Sequence, residues 1–317
     1  MFSKRFLSCD WGTSNFRLRL IQTKNFQVLA EIKSSKGISS FKEPNPFLYE
    51  EYLIESMKKI NNIINTPLNE EKIIISGMAS SSIGWIETPY KNLPVRLHPN
   101  DLITRKSHIF KYNHKQYQAT LISGICSHND IMRGEETEAL GLLSRSEYKN
   151  FSKNCYLILT GTHSKHIQIK DATIIDFQTH MTGELFRLLS THSIFKHNLH
   201  TSKPKINLCK KSIIRGTRLV IDNGLSSSLF KVRSMQLLNN NESLNYNDLL
   251  SGILIANELI NVKDNLHPII ISGTNTITQI YKIVLSQFNL KNLSFIPENK
   301  HNLLAAKGHF LFLKGLA

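Results

Sequence analysis

Two short polar turns carry the residue types that bind phosphate. The first reads DWGTSN (residues 10–15) and the second reads TGTHSK (residues 160–165). Each glycine lets the backbone approach a ligand closely, and successive N–H groups and hydroxyls can donate hydrogen bonds to phosphate oxygens. Asp10 ends the strand before the first turn and is the candidate ligand of Mg²⁺ or of its bound water. The candidate phosphate-binding residues are Gly12, Thr13, Ser14, Asn15, Gly161, Thr162, Ser164 and Lys165.

Either turn alone is also compatible with an ordinary hairpin, so it is their recurrence that favours phosphate binding. A third turn, IIISGTNTIT (residues 269–278), joins a predicted strand to a predicted helix. Because a helix N-terminus attracts anions, Gly273, Thr274 and Asn275 are candidates for binding an adenine-ribose or a phosphate. The sequence contains neither G-x-x-x-x-G-K-[ST] nor G-x-G-x-x-G, so neither a P-loop nor a dinucleotide fold has its motif.

The stretch NDIMRGEETEALGLL (residues 129–143) combines a cation with three acids. Arg133 can donate a fork of hydrogen bonds to a carboxylate or a phosphate. Glu135, Glu136 and Glu138 crowd the start of a predicted helix, where acids oppose the helix dipole. A carboxylate in this place could instead take the proton of a substrate hydroxyl. The residues alone leave both interpretations open.

A serine-rich stretch, SGMASSSIGWIETPY (residues 76–90), follows another predicted strand. The hydroxyls of Ser80, Ser81 and Ser82 could bind a polyol or a carboxylate. Trp85 and Tyr90 could form the wall of a sugar pocket. A flexible surface loop is the alternative interpretation of the same residues.

The elements that must position these residues occur in the same order twice. Phe16, Leu18 and Leu20 alternate with arginines, which predicts a half-buried strand. Each half of the chain has a strand, a glycine-containing polar turn, two more strands, and then helices alternating with strands. We predict lobes over residues 1–152 and 153–317, with helices at Glu135–Leu143, 211–238 and 246–262. An irregular stretch is predicted from about residue 78 to Gln116, and a last helix from His301.

A duplicated βββαβαβα unit is the pattern of the actin, hexokinase and heat-shock-chaperone superfamily. The predicted fold is therefore α/β, with two similar lobes of ribonuclease H-like, actin-like ATPase type and a cleft between them. In that superfamily a nucleotide binds in the cleft, which suits a pair of phosphate turns on two hinged lobes. The first lobe would hold the acceptor and the second the adenosine.

Composition limits the partners. The chain has 317 residues and a formal net charge of +15, which favours anionic ligands, but the basic residues are scattered and form no block. The four cysteines are widely spaced, so neither a disulfide framework nor a zinc site is expected. No apolar run reaches membrane-spanning length, and the N-terminal apolar stretch is too short for a signal peptide. We expect a cytoplasmic protein with no nucleic-acid or membrane partner, and a homodimer as the candidate assembly.

Several stretches together resemble one family, the 2-dehydro-3-deoxygalactonokinases of galactonate breakdown. They are DWGTSNFR at 10–17, GMASSSIGWIETPY at 77–90, IMRGEETEALG at 131–141, GTHSKHIQI at 161–169, DFQTHMTGELFRLL at 176–189 and LLSGILIANE at 249–258. The resemblance implies an ATP-dependent kinase, with Mg²⁺, that phosphorylates the 6-hydroxyl of 2-dehydro-3-deoxy-D-galactonate. An aldolase then cleaves the product to pyruvate and glyceraldehyde 3-phosphate.

The resemblance also implies roles for residues. The turns at 10–15 and 161–165 become phosphate turns, and the loop 80–85 and Arg133 become substrate-binding candidates. The base is Glu135 by first choice and Glu136 by second. Thr160 departs from the wider superfamily, in which an acid often precedes the second Gly-Thr, so Asp10 is the only acid of the paired turns.

Two other functions remain as alternatives. RGEET also resembles the glutamate stretch of exopolyphosphatases, so a polyphosphate or nucleotide phosphate hydrolase on the same fold is the first. A sugar-responsive regulator is the second. Such regulators carry an added DNA-binding helix pair, and we expect none because the first strand begins by about Arg5 and the last helix ends the chain.

Overall fold

The structure is a computed structural model that describes residues 4–43, 45–69, 71–102, 105–196, 208–238, 244–262, 267–288 and 290–315. The chain forms two compact units. The first unit comprises Met1–Asn154, Gln168–Phe177 and Asn302–Ala317, and the second comprises Cys155–Ile167 and Gln178–His301. The last helix, which the sequence placed in the second lobe, thus belongs to the first unit.

Fifteen strands occur among the described residues. They are β1 (Arg5–Trp11), β2 (Phe16–Gln22), β3 (Gln27–Ser34), β4 (Ile73–Gly77), β5 (Lys91–Asn92), β6 (Val95–Arg96), β7 (Arg105–Tyr112), β8 (Lys115–Ile122), β9 (Ile125–Cys126), β10 (Ile131–Met132), β11 (Asn154–Leu159), β12 (Ser164–Lys170), β13 (Thr173–His180), β14 (Ile269–Ser272) and β15 (Leu293–Ile296).

Eight α-helices occur in the same part of the chain. They are α1 (Pro46–Ile64), α2 (Glu135–Leu143), α3 (Thr182–His192), α4 (Lys210–Leu238), α5 (Tyr246–Leu259), α6 (Asn275–Leu285), α7 (Glu298–His301) and α8 (Leu304–Gly315). In the described ranges, no helix is long and apolar enough to cross a membrane.

The two large sheets share a five-stranded arrangement. The first sheet has the order β3-β2-β1-β4-β8-β7, and the second has the order β15-β14-β11-β12-β13-β6. In each sheet the three strands that open the repeat are neighbours, and two later strands (β4 and β8, or β14 and β15) follow beside the first of them. The strand β1 runs parallel to β4, and β11 runs parallel to β14. The predicted duplicated α/β fold is confirmed by this shared strand order.

The core of the first unit lies between its sheet and α1. Asn45 caps this helix by accepting from the Phe47 N–H, and Pro46 occupies the first helical position, where its missing N–H has no cost. Trp11 is fully buried and packs edge-on against Tyr49 at 5.8 Å between ring centroids. Aromatic pairs of this kind contribute about 0.5–1.5 kcal/mol each beyond their burial. Trp11 therefore anchors the end of β1, where the first polar turn begins.

The predicted irregular stretch is wrong at its end. Residues 105–112 form β7, which pairs antiparallel with β8. His108, Phe110 and Tyr112 face inward with a period of two, but the basic residues before and between them obscured the pattern. The connecting residues Asn113 and His114 both have positive φ, the geometry of a tight hairpin turn without the glycine that usually signals one.

Candidate active site

The first polar turn is fixed through its carbonyl groups. The Ile38 N–H donates to the Gly12 carbonyl at 3.0 Å, and the Ser39 N–H donates to the Thr13 carbonyl at 3.0 Å. Gly37 permits this approach, because a Cβ there would lie 2.3 Å from the Thr13 oxygen. Gly37 was not predicted as a functional residue. These two hydrogen bonds hold the backbone of the turn in place, and Thr13 is exposed at its tip.

Three chain segments meet beside this turn. The parallel pairing of β1 with β4 aligns Asp10 with Ser76 and Trp11 with Gly77. Gly77 has φ of +91°, and a Cβ there would lie 2.6 Å from the Trp11 oxygen. Gly134 has φ of +117°, and its Cβ would lie 3.4 Å from the Gly77 Cα. Glycine is required at both positions, and together they bring the start of α2 against the ends of β1 and β4.

The result is a group of acids with raised pKa values. Burial raises the pKa of Asp10, Arg17 and Arg19 oppose the shift, and Glu135 adds to it. Burial also raises the pKa of Glu138 well above its usual value, and the charges of Asp10 and Glu135 raise it further. Like charges that crowd one another favour a bound cation or a bound proton. A bound proton, or a cation that has further ligands, would relieve this crowding.

Glu136 differs from Glu135 in its surroundings. It is fully buried, and its carboxylate accepts from the Gly134 N–H at 2.8 Å and from the Thr137 hydroxyl at 3.0 Å. Glu136 thus binds the N–H of the residue that precedes its helix. Glu135 is half-buried and accepts from the Arg133 N–H at 3.0 Å. Of the two candidates for the base, Glu135 is the more accessible.

Glu136 should make stability depend on pH. Burial, then the charge of Glu135, raises the pKa of Glu136 from 4.5 to about 7. The folded state therefore binds more protons than the unfolded state between these values, and stability falls as pH rises through that window. Glutamine does not titrate, so the Glu136→Gln variant should not show this fall in the free energy of unfolding, which amounts to up to about 3 kcal/mol. Urea unfolding of both proteins at pH 5 and pH 8 checks it, and an unchanged pH dependence in the variant would contradict the assignment.

Arg133 connects the serine-rich loop to α2. One guanidinium nitrogen, Nη1, donates to the Ser80 carbonyl at 2.6 Å and to the Thr88 hydroxyl at 2.8 Å. Nη2 donates to the Thr88 carbonyl at 3.1 Å, and the guanidinium lies 4.1 Å from the centre of the Tyr90 ring. Arg133 is 8% exposed. Its contacts stabilise the loop beside Glu135, so a positioning role is favoured over direct substrate binding.

The other loop candidates divide in the same way. Ser80 is buried and donates to the Ile122 carbonyl at 2.6 Å, and Ser81 donates to the Met78 carbonyl at 2.7 Å. Trp85 is buried in the core of the first unit. Ser82 is exposed. Of these predicted substrate-binding side chains in the described loop, only Ser82 is exposed to solvent. The buried ones hold the loop in its conformation.

The second unit contains a pocket of about 550 Å³ at the ends of β11 and β14. Its polar lining comes from the second polar turn and from the starts of α3, α5 and α6, and its apolar lining comes mainly from the helices. The lining residues include Thr160, Gly161, Thr162, Ser164, Thr182, Gly183, Phe186, Leu208, Asn245, Asp248, Ser251, Leu254, Ile255, Thr274, Thr276, Ile277, Ile280 and Tyr281. The volume and mixed lining are typical of a small-molecule site.

The starts of the helices differ in what they offer a ligand. Helix α3 begins without a side-chain cap, and its Glu184 N–H donates to the Thr162 carbonyl at 3.1 Å, which holds the helix against the turn. Helix α5 is capped by Asn245 and carries Asp248 in its first turn. Helix α3 also carries an acid, Glu184, in its first turn, so only its missing side-chain cap makes its start a better candidate for an anion than the start of α5.

Glycines explain how the turn and its neighbours fit. A Cβ on Gly183 would lie 2.6 Å from the Gly161 oxygen, so Gly183 lets α3 contact the turn. A Cβ on Gly273 would lie 1.9 Å from the Thr160 hydroxyl oxygen, so Gly273 leaves space for the Thr160 side chain. Thr274 lines the pocket, whereas the Asn275 N–H donates to Glu298 at 3.1 Å.

Lys165 lies on the other face of β12 from Ser164. Side chains alternate along a strand, so Ser164 lines the pocket while the Lys165 ammonium donates to the Thr179 hydroxyl at 2.9 Å. Lys165 is 5% exposed. The predicted contact between Lys165 and a phosphate stays a prediction, and the geometry favours the backbone N–H groups of the turn as the phosphate donors.

Gly161→Ala should leave the stability of the fold unchanged but weaken the binding of ATP. A Cβ there would meet nothing closer than the His163 oxygen at 3.9 Å, so Gly161→Ala fits the folded chain. The added methyl would occupy space at the pocket surface where a ligand must approach the backbone. We expect an unchanged melting temperature and about a tenfold weaker affinity for ATP, measured by calorimetry. Gly183→Ala is the contrasting variant, because the clash of its Cβ should lower both the melting temperature and the affinity for ATP. An unaltered affinity in Gly161→Ala would contradict the role of the turn in binding phosphate.

Comparison with known proteins places this geometry in a class. A solved structure assigned to the 2-dehydro-3-deoxygalactonokinases, from Sinorhizobium meliloti, matches with a TM-score of 0.78 and 23% identity, covering 98% of this chain and 99% of that one. A Clostridium difficile activator of 2-hydroxyisocaproyl-CoA dehydratase, solved with bound ADPNP, matches with a TM-score of 0.51 and 12% identity over 98% and 96% of the two chains. These likenesses show that the chain shares its fold with both proteins.

The family follows from sequence. A model of the 2-keto-3-deoxy-galactonokinase family matches residues 10–302, and the chain belongs to that family. The 2-dehydro-3-deoxygalactonokinase of Escherichia coli (strain K12) is 27% identical over 291 residues, 88% of each chain. A probable 2-dehydro-3-deoxygalactonokinase of Rhizobium meliloti (strain 1021) is 29% identical over 260 residues, 80% of this chain and 79% of the other. The predicted resemblance is confirmed, the protein is a sugar-acid kinase, and the phosphate hydrolase alternative is not favoured.

Proposed function

We propose that the protein transfers the terminal phosphoryl group of ATP, bound with Mg²⁺, to the 6-hydroxyl of 2-dehydro-3-deoxy-D-galactonate in galactonate catabolism. The observation that carries the proposal is the 550 Å³ pocket of the second unit, which combines a glycine turn, an uncapped helix start and an apolar wall. The turn and the helix start suit phosphates, and the apolar wall suits a planar base. Family membership supports the acceptor.

The nucleotide is assigned to the second unit. Gly161 is open on the pocket side, so the backbone N–H groups of the turn can approach phosphate oxygens. The base is assigned to the apolar side chains of α3, α5 and α6, where Asn245 and Asp248 supply polar partners. ADPNP bound to the Clostridium difficile activator, which has the same fold, supports the choice of an adenine nucleotide.

Magnesium is assigned to Asp10. The residues fit a divalent cation, because burial and then the charge of Glu135 raise the pKa of Asp10, and a cation would favour its ionised form. The described residues contain no group of three or more His, Cys, Asp or Glu that could by itself hold a metal. When bound, Mg²⁺ would neutralise charge that develops on the transferred phosphoryl group.

Glu135 is assigned as the base. It is half-buried at the start of α2, close enough to Asp10 to raise the pKa of that carboxyl. Its role is to orient the terminal hydroxyl of the sugar acid and to accept the proton as the new O–P bond forms. Arg133 positions both Glu135 and the loop that carries Ser82, which is the proposed contact to the sugar acid.

A coupled ADP-release assay across a panel of 2-keto-3-deoxy sugar acids tests the proposal. We expect ADP release that depends on the sugar acid, with the galacto epimer giving the highest kcat/KM. Phosphate release in the absence of any sugar acid would instead indicate a hydrolase. The homodimer and the lack of a nucleic-acid partner stay predictions, and size-exclusion chromatography with and without DNA tests both.

A further inference from the structure

Below the pocket of the second unit lies a buried carboxylate, Glu258 of α5. It is 2% exposed. It accepts hydrogen bonds from the His166 ring at 2.8 Å, from the Tyr281 hydroxyl at 2.6 Å, and from the Thr182 hydroxyl. These partners belong to β12, α6 and α3, so one side chain connects three elements that line the pocket.

The carboxylate is the ionised acceptor of this group. Burial acts to raise the pKa of Glu258, but the hydrogen bonds and charge of His166, with the hydroxyls of Thr182 and Tyr281, leave it below its usual value. A carboxylate only accepts hydrogen bonds, so both hydroxyl protons point toward Glu258. Thr182 and Tyr281 therefore present oxygen lone pairs, and no proton, to the pocket that they line.

The same orientation reaches the second polar turn. The Ser164 hydroxyl lies 3.3 Å from the Tyr281 hydroxyl. Because the single proton of Tyr281 is donated to Glu258, Ser164 must be the donor in this pair. Glu258 thereby sets the direction of three hydroxyls that surround one end of the pocket.

We propose that Glu258 is a positioning residue that sets the affinity for ATP by fixing Thr182, Tyr281 and Ser164. The inference rests on the proposed function in taking the pocket as the ATP site. It implies that phosphate oxygens are bound by N–H donors of the turn and of α3, while the three hydroxyls hold the pocket wall in place. Any ligand group that hydrogen-bonds to the Thr182 or Tyr281 oxygen must do so as a donor.

The experiment measures binding of ATP with Mg²⁺ by calorimetry, which needs no turnover, alongside the KM for each substrate. In Glu258→Gln the amide keeps the shape but adds N–H donors, so at least one hydroxyl must turn round. We expect ATP to bind about tenfold or more weakly, with KM for the sugar acid within about twofold of the wild type.

A milder variant keeps the test usable if Glu258→Gln folds poorly. Thr182→Val removes one hydroxyl at nearly constant volume and should weaken ATP binding severalfold, whereas Thr182→Ser keeps the hydroxyl and should bind ATP like the wild type. Tyr112→Phe is the control, because it removes a buried hydroxyl bonded to Asn61 at 2.6 Å in the first unit. It should lower the melting temperature without changing ATP affinity.

The outcomes separate two failures. If Glu258→Gln and Thr182→Val lower only the melting temperature and bind ATP like the wild type, Glu258 contributes to stability alone and the inference is overturned. If KM for ATP and KM for the sugar acid rise together in both variants, it is also overturned. If the wild type itself binds no ATP, the proposed nucleotide site fails and the inference fails with it.

Discussion

Asp10→Asn is expected to lower kcat by about 10²–10⁴-fold while the protein stays folded. The amide has nearly the shape of the carboxylate but lacks the charge that holds a divalent cation. Burial and the charge of Glu135 already disfavour the ionised form of Asp10 and raise its pKa, so removing the charge should not weaken the fold. The effect should therefore appear in catalysis and not in the melting temperature.

The measurement is kcat from ADP release at saturating ATP and sugar acid, repeated across a magnesium titration. If Asp10 holds the cation, the variant should also need more magnesium for half-maximal activity. The matched control is Asp130→Asn, which changes an acid of the same unit that lies outside the acidic group and bonds to the Ile131 N–H. Near-normal kcat in Asp10→Asn would refute the metal assignment.

Glu135→Gln should lower kcat by about 10²–10⁴-fold, the usual contribution of a general base. Glutamine preserves the hydrogen bond from the Arg133 N–H but cannot accept a proton from the sugar-acid hydroxyl. Substrate binding should change little, because the carboxylate acts on the hydroxyl mainly as the phosphoryl group is transferred. The loss should thus be in kcat, with KM for both substrates close to the wild type.

Glu136→Gln is the matched control, because it makes the same change from carboxylate to amide at the neighbouring residue. Glu136 is fully buried and accepts from the Gly134 N–H, so this variant should keep most of its kcat. The reverse result, with Glu136→Gln inactive and Glu135→Gln active, would move the base to the second candidate. If both variants stay active, the base lies elsewhere, and Glu138 is the next acid to change.

Much of the fold could be predicted from the sequence because its signals are local. Glu135–Leu143 forms a helix with the predicted bounds, and α4 and α5 lie within a few residues of prediction. The repeated order of strands and turns predicted the duplication that the two sheets confirm. The hairpin of β7 and β8 was missed because charged residues and a turn without glycine concealed an alternating pattern.

The site was predictable only in part, because a residue type does not reveal its partner. Arg133 has the chemistry of a substrate ligand, yet the structure gives it Ser80, Thr88 and Tyr90 as partners. Lys165 adjoins the second polar turn in sequence but points to Thr179 because strand side chains alternate.

Residues distant along the chain escaped prediction altogether. Gly37 and Gly183 act through close approaches between segments that are separate in sequence, and Asn245 lines the pocket of the second unit. Glu258 gave no signal beyond its place in LLSGILIANE. Only the Asn245 cap before α5 has a local signature that could have been read from the sequence.

The most direct test of the central claim is ³¹P NMR of the products formed from ATP, Mg²⁺ and 2-dehydro-3-deoxy-D-galactonate. Transfer to the 6-hydroxyl predicts a new phosphomonoester signal coupled to the two methylene protons at C6, appearing in step with ADP. Inorganic phosphate as the sole new signal, formed at the same rate with and without the sugar acid, would contradict the account.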